Sequence, residues 1–315
     1  MIYFGKDRYI SSVAVSSILG QGNGIFGLMF ANPFYQTFCR VVNETDTTVF
    51  GKSATRSDHR GNFIMHDPRS WKYVRHYGVD SMINAYNLTN PGVFRTARGN
   101  KKAIRQGYRV IPNFYPQYSL GLEVAIHQTI AAIEILIEVL GDDFWAIELN
   151  DSCPNAKEKI AENMEFVLAL SEAVRKAYPW LIIIHKIGYD HPYELAQELE
   201  RRNLADAFHS INSIPCKHIF IDCQSSPLYC LKGVNDGGAV SGRAAFKKSF
   251  IYTKGLRKKV ELPILMGCGI VSTYQADLCA GECIDLGRDS LDICSMGAIY
   301  PIEACTLIVK YNSPT

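Results

Sequence analysis

The sequence lacks the features that mark a membrane, secreted or nucleic-acid-binding protein. Its 315 residues contain no unbroken apolar run of about 18 residues, so we expect no membrane span. The N-terminus, MIYFGKDRYISS, has neither the apolar core of a signal peptide nor the arginine-rich character of a transit peptide. The formal net charge of +2 gives no electrostatic argument for nucleic acid or an anionic membrane. We therefore expect a cytoplasmic protein whose ligand is a small molecule.

No CxxC pair occurs among the 10 cysteines. Cys216, Cys223 and Cys230 are evenly spaced, but their gaps are longer than those of zinc or iron–sulfur sites. We expect no metal site. We also expect no disulfides, because disulfides form in exported proteins and we predict a cytoplasmic one. Most of the thiols are expected to be buried as small hydrophobic groups.

No internal repeat, low-complexity tract or linker divides the chain, so we predict one domain, 1–315. Short β-rich runs alternate with longer helical ones, which is typical of parallel βα units. The strand candidates are 13–15, 47–52, 81–86, 108–113, 144–149, 181–186, 207–213, 263–267 and 291–297. The helix candidates are 25–42, 121–140, 161–178, 193–201 and 302–311.

This pattern predicts an α/β fold, a (β/α)8 TIM barrel with a small N-terminal hairpin. A doubly wound sheet is the main alternative, because it too gathers ligands at the carboxyl ends of its strands. A barrel needs eight strands and the candidates number nine, so the run at Tyr108 or the N-terminal run Ile2-Tyr3-Phe4 has to be counted differently. The segment 215–249 is rich in Cys, Ser, Pro and Gly, and we predict a long loop excursion over the top of the barrel.

Polar side chains follow the apolar part of almost every predicted strand. They include five amides and two lysines, which suit a planar, anionic ligand rich in carbonyl and N–H groups. These residues are Lys52, Asn84, Asn113, Asn150, Ser152, Cys153, Asn155, Lys186, Asn212 and Ser213. Glycines recur late in the chain, where barrel loops often bind phosphate through backbone N–H groups. The pattern therefore indicates a barrel that holds a phosphorylated cofactor and a planar substrate.

These residues resemble the class 1 dihydroorotate dehydrogenases, FMN-dependent barrels of pyrimidine synthesis. The most specific motif is Glu148-Leu149-Asn150-Asp151-Ser152-Cys153-Pro154-Asn155, close to that family's ELNxSCPN signature. The segment 84–92 is close to the family's substrate loop. Lys52-Ser53-Ala54-Thr55, the Lys186 strand, Asn212-Ser213 and the late glycines follow in the family's order.

The resemblance implies oxidation of dihydroorotate to orotate, with a hydride passing to FMN. Cys153 would be the catalytic base, which takes a proton from C5 of the substrate. The implied substrate-binding residues are Lys52, Asn84, Asn150, Asn155, Asn212 and Ser213. The implied cofactor-binding residues are Ser16, Ser17, Lys52, Asn113, Asn150, Lys186, Gly238, Gly242, Gly269, Gly297 and Ala298. Lys186 would lie against the flavin edge where negative charge develops.

Three departures from the family pattern leave the substrate open. Asn87 and Cys268 stand where the family has glycine, and Asp151 where it has an apolar residue. A second alignment puts 30–34 in place of Ser16-Ser17 but leaves no room for a first helix. The alternatives are another planar pyrimidine-like substrate, a non-redox phosphate-binding barrel such as a lyase or isomerase, or a non-catalytic relative. His185 and His209 are expected to be structural.

The electron acceptor also stays open. Fumarate would suit a self-contained homodimer, whereas NAD would need a partner subunit that carries FAD and an iron–sulfur cluster. A homodimer is our expectation. The absence of an N-terminal membrane helix argues against a quinone.

Overall fold

The computed structural model describes residues 1–5, 7–16, 32–64, 66–151, 160–234 and 236–313, and for residues 160–162 the backbone alone. Within these ranges the strands are β1 (Ile2–Tyr3), β2 (Tyr9–Ile10), β3 (Val13–Val15), β4 (Thr48–Phe50), β5 (Val74–His76), β6 (Ser81–Asn84), β7 (Arg109–Ile111), β8 (Asn113–Phe114), β9 (Ala146–Asn150), β10 (Ile182–Ile187), β11 (Ala207–Ser210), β12 (Ile214–Pro215), β13 (Ala239–Gly242), β14 (Ile264–Met266) and β15 (Ser290–Ile293). The helices are α1 (Pro33–Glu44), α2 (Val93–Arg105), α3 (Leu122–Leu140), α4 (Ile160–Ala177), α5 (Tyr193–Arg201), α6 (Arg243–Arg257), α7 (Thr273–Glu282), α8 (Ser295–Ile299) and α9 (Pro301–Asn312).

A closed parallel barrel forms the centre of the fold. Its strand order is β3, β4, β7, β8, β9, β10, β11, β14 and β15, and β15 pairs with β3 to close the ring. β7 and β8 are two halves of one strand interrupted at Pro112, because β7 pairs with β4 and β8 with β9. The barrel therefore has eight strand positions. This confirms the predicted (β/α)8 TIM barrel over the doubly wound sheet.

The surplus strand is Ser81–Asn84, not the run at Tyr108 or the N-terminal run. As β6 it joins a separate antiparallel sheet of order β12-β13-β6-β5. Its side chains alternate between buried and half-buried, whereas every side chain of β9 is buried. That alternation is typical of an antiparallel sheet with one covered face, and continuous burial is typical of a parallel barrel strand. The N-terminal run instead pairs with β2 in the predicted hairpin.

The predicted excursion is correct in place but too long. Strand β13 already begins at Ala239 and helix α6 at Arg243, so the irregular part ends before residue 249. Glycine permits this geometry, because a Cβ on Gly242 would lie 2.2 Å from the Asp80 backbone oxygen and one on Gly238 would lie 2.5 Å from that of Asn84. The glycines therefore let β13 approach β6 closely.

The strongly periodic helices agree with prediction to within two residues. Helices α3, α4, α5 and α9 pack around the barrel, with α3 against α2 and α4. The first helix begins only at Pro33, where the Asn32 side chain accepts a hydrogen bond from the Phe34 backbone N–H at 2.9 Å. The earlier part of that prediction, 25–31, lies outside the described residues.

One segment, Leu122–Asp143, is long and apolar enough to cross a membrane by length and composition alone. A core helix of a globular protein meets the same criteria, and this segment contains α3, which packs between α2 and α4. It is therefore weak evidence for a membrane span.

Candidate active site

A cavity opens at the carboxyl ends of the barrel strands, where a TIM barrel builds its sites. It brings together nine of the predicted site residues from separate parts of the chain. They are Ser16, Lys52, Asn84, Asn113, Asn150, Lys186, Asn212, Ser213 and Gly269. The antiparallel sheet forms one wall, through side chains of β5, β6 and β13.

Three predicted site residues lie outside the described residues, namely the proposed base Cys153, Asn155 and Ser17. Their roles stay predictions.

Four predicted cofactor residues are described but lie outside the cavity lining. Gly238 and Gly242 serve the contact between β13 and β6. Gly297 and Ala298 lie in α8, where the Ala298 carbonyl accepts a hydrogen bond from the Tyr35 hydroxyl. Their places in the fold follow from backbone packing, and any cofactor role for them stays a prediction.

Four ionisable side chains lie together in the barrel interior, and two of them, Lys186 and Asp292, line the cavity. Glu148, Lys186, His209 and Asp292 project from β9, β10, β11 and β15 into the barrel. His209 Nδ1 hydrogen-bonds to Glu148 Oε1, and His209 Nε2 lies 3.2 Å from Asp292 Oδ2, a contact of ion-pair distance that does not meet the geometry of a hydrogen bond. Lys186 Nζ lies 3.9 Å from Glu148 Oε2. We call these four residues the floor cluster.

The floor cluster keeps its carboxylates charged despite complete burial. Desolvation alone would raise the pKa of Glu148, but Lys186 and His209 outweigh it and lower that pKa. Desolvation is likewise outweighed at Asp292, whose pKa is lowered chiefly by His209, with further help from Lys186 and Ser16. The Ser16 hydroxyl donates to Asp292 Oδ2 at 2.7 Å. The floor therefore presents paired charges, not isolated ones.

The predicted amides Asn113, Asn150 and Asn212 are hydrogen-bonded to neighbouring side chains. Asn113 Nδ2 donates to Glu148 Oε2, while Asn113 Oδ1 is buried with no hydrogen-bond partner among the described residues. Asn212 Nδ2 donates to Asn150 Oδ1 at 3.3 Å, and Asn150 Nδ2 donates to Ser53 Oγ at 2.9 Å. The amides are thus held in fixed orientations on one side of the cavity, which suits recognition of a planar ligand.

Apolar and aromatic side chains also line the cavity, and sequence analysis did not predict them as a group; we call them the apolar wall. It consists of Phe63, Val74, Met82, Tyr86 and Leu88. The Lys52 ammonium lies 4.4 Å from the centre of the Tyr86 ring, a cation–π contact that fixes Lys52 at this wall. Tyr86 and Leu88 belong to the segment 84–92 that the sequence singles out as a substrate loop. The other three come from a loop and short strands without a periodic pattern, so no signal in the sequence groups them with it.

Among the described residues, two thiols line the cavity, Cys268 and Cys294. Burial raises the pKa of Cys268 to about 12 and that of Cys294 to about 11, so both are protonated at neutral pH. Cys268 adopts a φ of +59° in place of the glycine of the family pattern. The left-handed conformation is thus reached despite the β-carbon.

Asp151, the acid next to the motif's Asn150, turns away from the cavity. Its Oδ2 accepts from His185 Nδ1 at 2.6 Å and its Oδ1 from the Tyr118 hydroxyl at 2.9 Å, all fully or almost fully buried. Asp151, which departs from the family pattern, therefore lies in the barrel wall. We call Asp151, His185 and Tyr118 the wall cluster.

Glu148, His209 and Asp292 are the polar residues of the site that sequence analysis left without a role. Alternation along β9 places Glu148 on the same face as Asn150, which is a usable signal. An acid inside the apolar run of β15 is a second signal, since an unpaired buried charge is costly. Among the described residues, no three or more His, Cys, Asp or Glu are grouped so as to hold a metal ion.

Comparison with known proteins supports the fold alone. No protein-family model and no curated protein matches the chain. The structure of 2-naphthoyl-CoA reductase in complex with 2-naphthoyl-CoA is similar with a TM-score of 0.52 and 8% identity, over 93% of this chain and 50% of that one. Morphinone reductase in complex with tetrahydroNAD has a TM-score of 0.46 and 10% identity, over 90% and 82%. The tryptophan synthase a2b2 complex from Pyrococcus furiosus has a TM-score of 0.45 and 10% identity, over 97% of this chain and 98% of that one.

Of these three, the reductase with a TM-score of 0.52 supports the barrel architecture, and this chain spans half of its length. The other two scores are too low to carry an argument. Identities near 10% say nothing about the substrate or the cofactor, so function has to be argued from the cavity itself.

Proposed function

We propose that the protein is a flavin-dependent oxidoreductase that uses FMN to oxidise dihydroorotate to orotate. One observation carries the proposal. Lys52, Asn113, Asn150, Lys186 and Asn212, which sequence motifs select from five separate segments, line one cavity at the carboxyl end of the barrel. The fold is similar to that of a protein named 2-naphthoyl-CoA reductase, which is consistent with redox chemistry on this fold.

The residues of the cavity fit a flavin. Asn113 Oδ1 and Asp292 Oδ1 are buried acceptors on lining residues, and neither has a hydrogen-bond partner among the described residues. A buried acceptor without a donor is costly. A flavin brings N–H and hydroxyl donors, so Asn113 and Asp292 would hold it, with Lys186 at its electron-rich edge. When bound, FMN would supply the hydride acceptor.

The remaining groups of the cavity would bind and orient the substrate. Asn150 and Asn212 are locked to each other and present amide donors and acceptors to a planar ring. Lys52, which is held at the Tyr86 ring, would form an ion pair with a carboxylate of the substrate. The apolar wall would exclude water from the ring. The proton acceptor is proposed to be Cys153, which lies outside the described residues.

The test is anaerobic reduction of the purified protein. We expect a yellow protein with bound FMN, bleached by dihydroorotate, and then reoxidised in a screen of fumarate, NAD and quinone. Cys153→Ser should retain FMN but slow the bleaching strongly. A colourless protein that takes up no added FMN would contradict the flavin itself, whereas a flavoprotein that dihydroorotate leaves oxidised would contradict the substrate alone.

A different planar, pyrimidine-like substrate is the second candidate, and the apolar wall favours it. Five apolar or aromatic side chains, Phe63, Val74, Met82, Tyr86 and Leu88, suit a ring that carries an apolar substituent. Anaerobic bleaching by such a compound, faster than by dihydroorotate, would decide for this candidate.

A further inference from the structure

His209 lies between two carboxylates in the interior of the barrel. The side chain is fully buried. Its Nδ1 hydrogen-bonds to Glu148 Oε1, and its Nε2 lies 3.2 Å from Asp292 Oδ2. The Phe50 ring covers it, with ring centres 5.4 Å apart. Gly267 leaves room for the arrangement, because a Cβ there would lie 2.8 Å from His209 Nε2. The imidazole is therefore held by packing as well as by charge.

Both neighbours of the ring accept protons and cannot give them. An ionised carboxylate is an acceptor only, so a carboxylate beside each ring nitrogen favours the imidazolium, which carries a proton on both nitrogens. The floor cluster then contains two anions, Glu148 and Asp292, and two cations, Lys186 and His209. Burial and Lys186 oppose the charge, but Glu148 and Asp292 outweigh them and raise the pKa of His209.

The arrangement leaves Lys186 without a close partner in the floor cluster. Both carboxylate oxygens of Glu148 already have hydrogen-bond partners: Oε1 pairs with His209 Nδ1, and Oε2 accepts from Asn113 Nδ2. Lys186 Nζ is 3.9 Å from Glu148 Oε2 and donates one long hydrogen bond, 3.5 Å, to the Ser16 hydroxyl, and its side chain keeps 12% of its surface exposed at the cavity. A long ion pair of this kind stabilises the ammonium while leaving its donors to a ligand.

We propose that His209 is a positioning residue for Lys186: as an imidazolium it balances the charges of Glu148 and Asp292, and so leaves the Lys186 ammonium to the anionic or electron-rich edge of the ligand. Without the imidazolium, the floor would carry one excess negative charge, and Glu148 would draw Lys186 towards itself. The choice of FMN as the probe rests on the proposed function, whereas the charge of His209 does not.

The charge of His209 is measured on the ligand-free wild-type protein. Nitrogen NMR of histidine side chains, with His209 assigned from its backbone, should show both ring nitrogens protonated at neutral pH. A neutral ring with one protonated nitrogen would overturn the proposal. The measurement needs no variant and no cofactor, so it decides this claim even if the wild-type protein binds no FMN, which would contradict the proposed function alone.

The effect on Lys186 is measured by fluorescence titration of the apoprotein with FMN. His209→Gln should weaken FMN binding by about tenfold or more, because it leaves an unbalanced carboxylate beside Lys186. His209→Gln combined with Glu148→Gln removes one charge of each sign and should return the affinity to within about threefold of wild type. Lys310→Gln, which removes a cation from the surface pair with Asp277, is the matched control and should change nothing.

Charge rescue separates positioning from a merely structural role. If the double variant binds FMN no better than His209→Gln, the proposal is overturned. Should His209→Gln fail to fold, Glu148→Gln alone provides the second test. It leaves Lys186 with less competition and should bind FMN at least as tightly as wild type, and a loss of about tenfold would overturn the proposal.

Discussion

The two fully buried histidines His185 and His209 each pair with a carboxylate, on opposite sides of the same barrel wall. In the wall cluster, the Asp151 carboxylate accepts hydrogen bonds from His185 and Tyr118. The other ring nitrogen, His185 Nε2, lies 3.4 Å from the Leu204 carbonyl oxygen. In the floor cluster, Asp292 Oδ1 still lacks a hydrogen-bond partner among the described residues. The wall cluster thus closes on itself, whereas the floor cluster keeps capacity for a ligand.

Strand geometry produces this division. Successive side chains of a strand point to opposite faces, so Glu148 points inward and His185 outward, while Lys186 points inward again. Similar chemical groups acquire different roles because only the inward face borders the cavity. The comparison teaches that burial and pairing alone do not mark a functional histidine, and that unsatisfied neighbours do.

Breaking the wall cluster should have the largest effect on stability. Asp151→Leu leaves His185 and the Tyr118 hydroxyl buried without their acceptor, and we expect unfolding to become easier by about 3–5 kcal/mol. Tyr118→Phe removes one hydrogen bond and should cost about 1 kcal/mol. Urea unfolding measures both changes. Equal effects of the two variants would show that the wall cluster is not held by the carboxylate.

Crowding the floor cluster should have an intermediate effect. Gly267→Ala places a Cβ 2.8 Å from His209 Nε2 and 3.2 Å from Asp292 Oδ2, so we expect a loss of about 1–3 kcal/mol in the free energy of unfolding. Gly281→Ala is the control, since a Cβ there meets no atom within 4 Å and α7 continues through it. It should be neutral or stabilising by up to about 1 kcal/mol. Similar unfolding curves for both variants would contradict the packing argument.

The smallest expected effect is a pH dependence that belongs to the floor cluster. Because the folded-state pKa of His209 is raised above 6.5, its contribution to stability is fully present below pH 6.5 and is lost as the pH rises through the raised value. The loss has a limiting slope of about 1.4 kcal/mol per pH unit. Urea unfolding of the ligand-free protein between about pH 6 and pH 9 should show this loss in wild type and not in His209→Gln. Parallel curves for the two proteins would refute it.

The acid side of the same cluster has the opposite sign. The folded-state pKa values of Glu148 and Asp292 are lowered, so their contribution is present above the ordinary carboxyl range and disappears as the pH falls through the lowered values. The floor cluster therefore stabilises the fold most between these two limits.

The sequence was sufficient for the barrel but not for the second sheet. Continuous apolar runs such as β10 and the periodic helix α3 predict their own structure, because burial and helical spacing are local properties. Ser81–Asn84 is an equally convincing strand, yet its partner, β13, lies far along the chain and runs antiparallel to it. Nothing within a short run specifies the direction of its neighbour.

The candidate site was predictable to the same extent. Lys186, Asn113 and Asn150 stand at strand ends that the sequence locates. The floor cluster depends on register, in which Lys186 lies beside both Asn150 and His209 on neighbouring strands. The apolar wall depends on loop conformation. Both are set by tertiary packing, which the single sequence does not disclose.

The sheet that walls the cavity joins two loops from distant parts of the chain. β6 follows barrel strand β4 and β13 follows β11, and they pair along four residues, with Asn84 Nδ2 and the Ala239 carbonyl 3.5 Å apart across 155 positions. Neither loop can be displaced without the other. We therefore expect a substitution in either loop to change ligand exchange through this side as much as a substitution in the other.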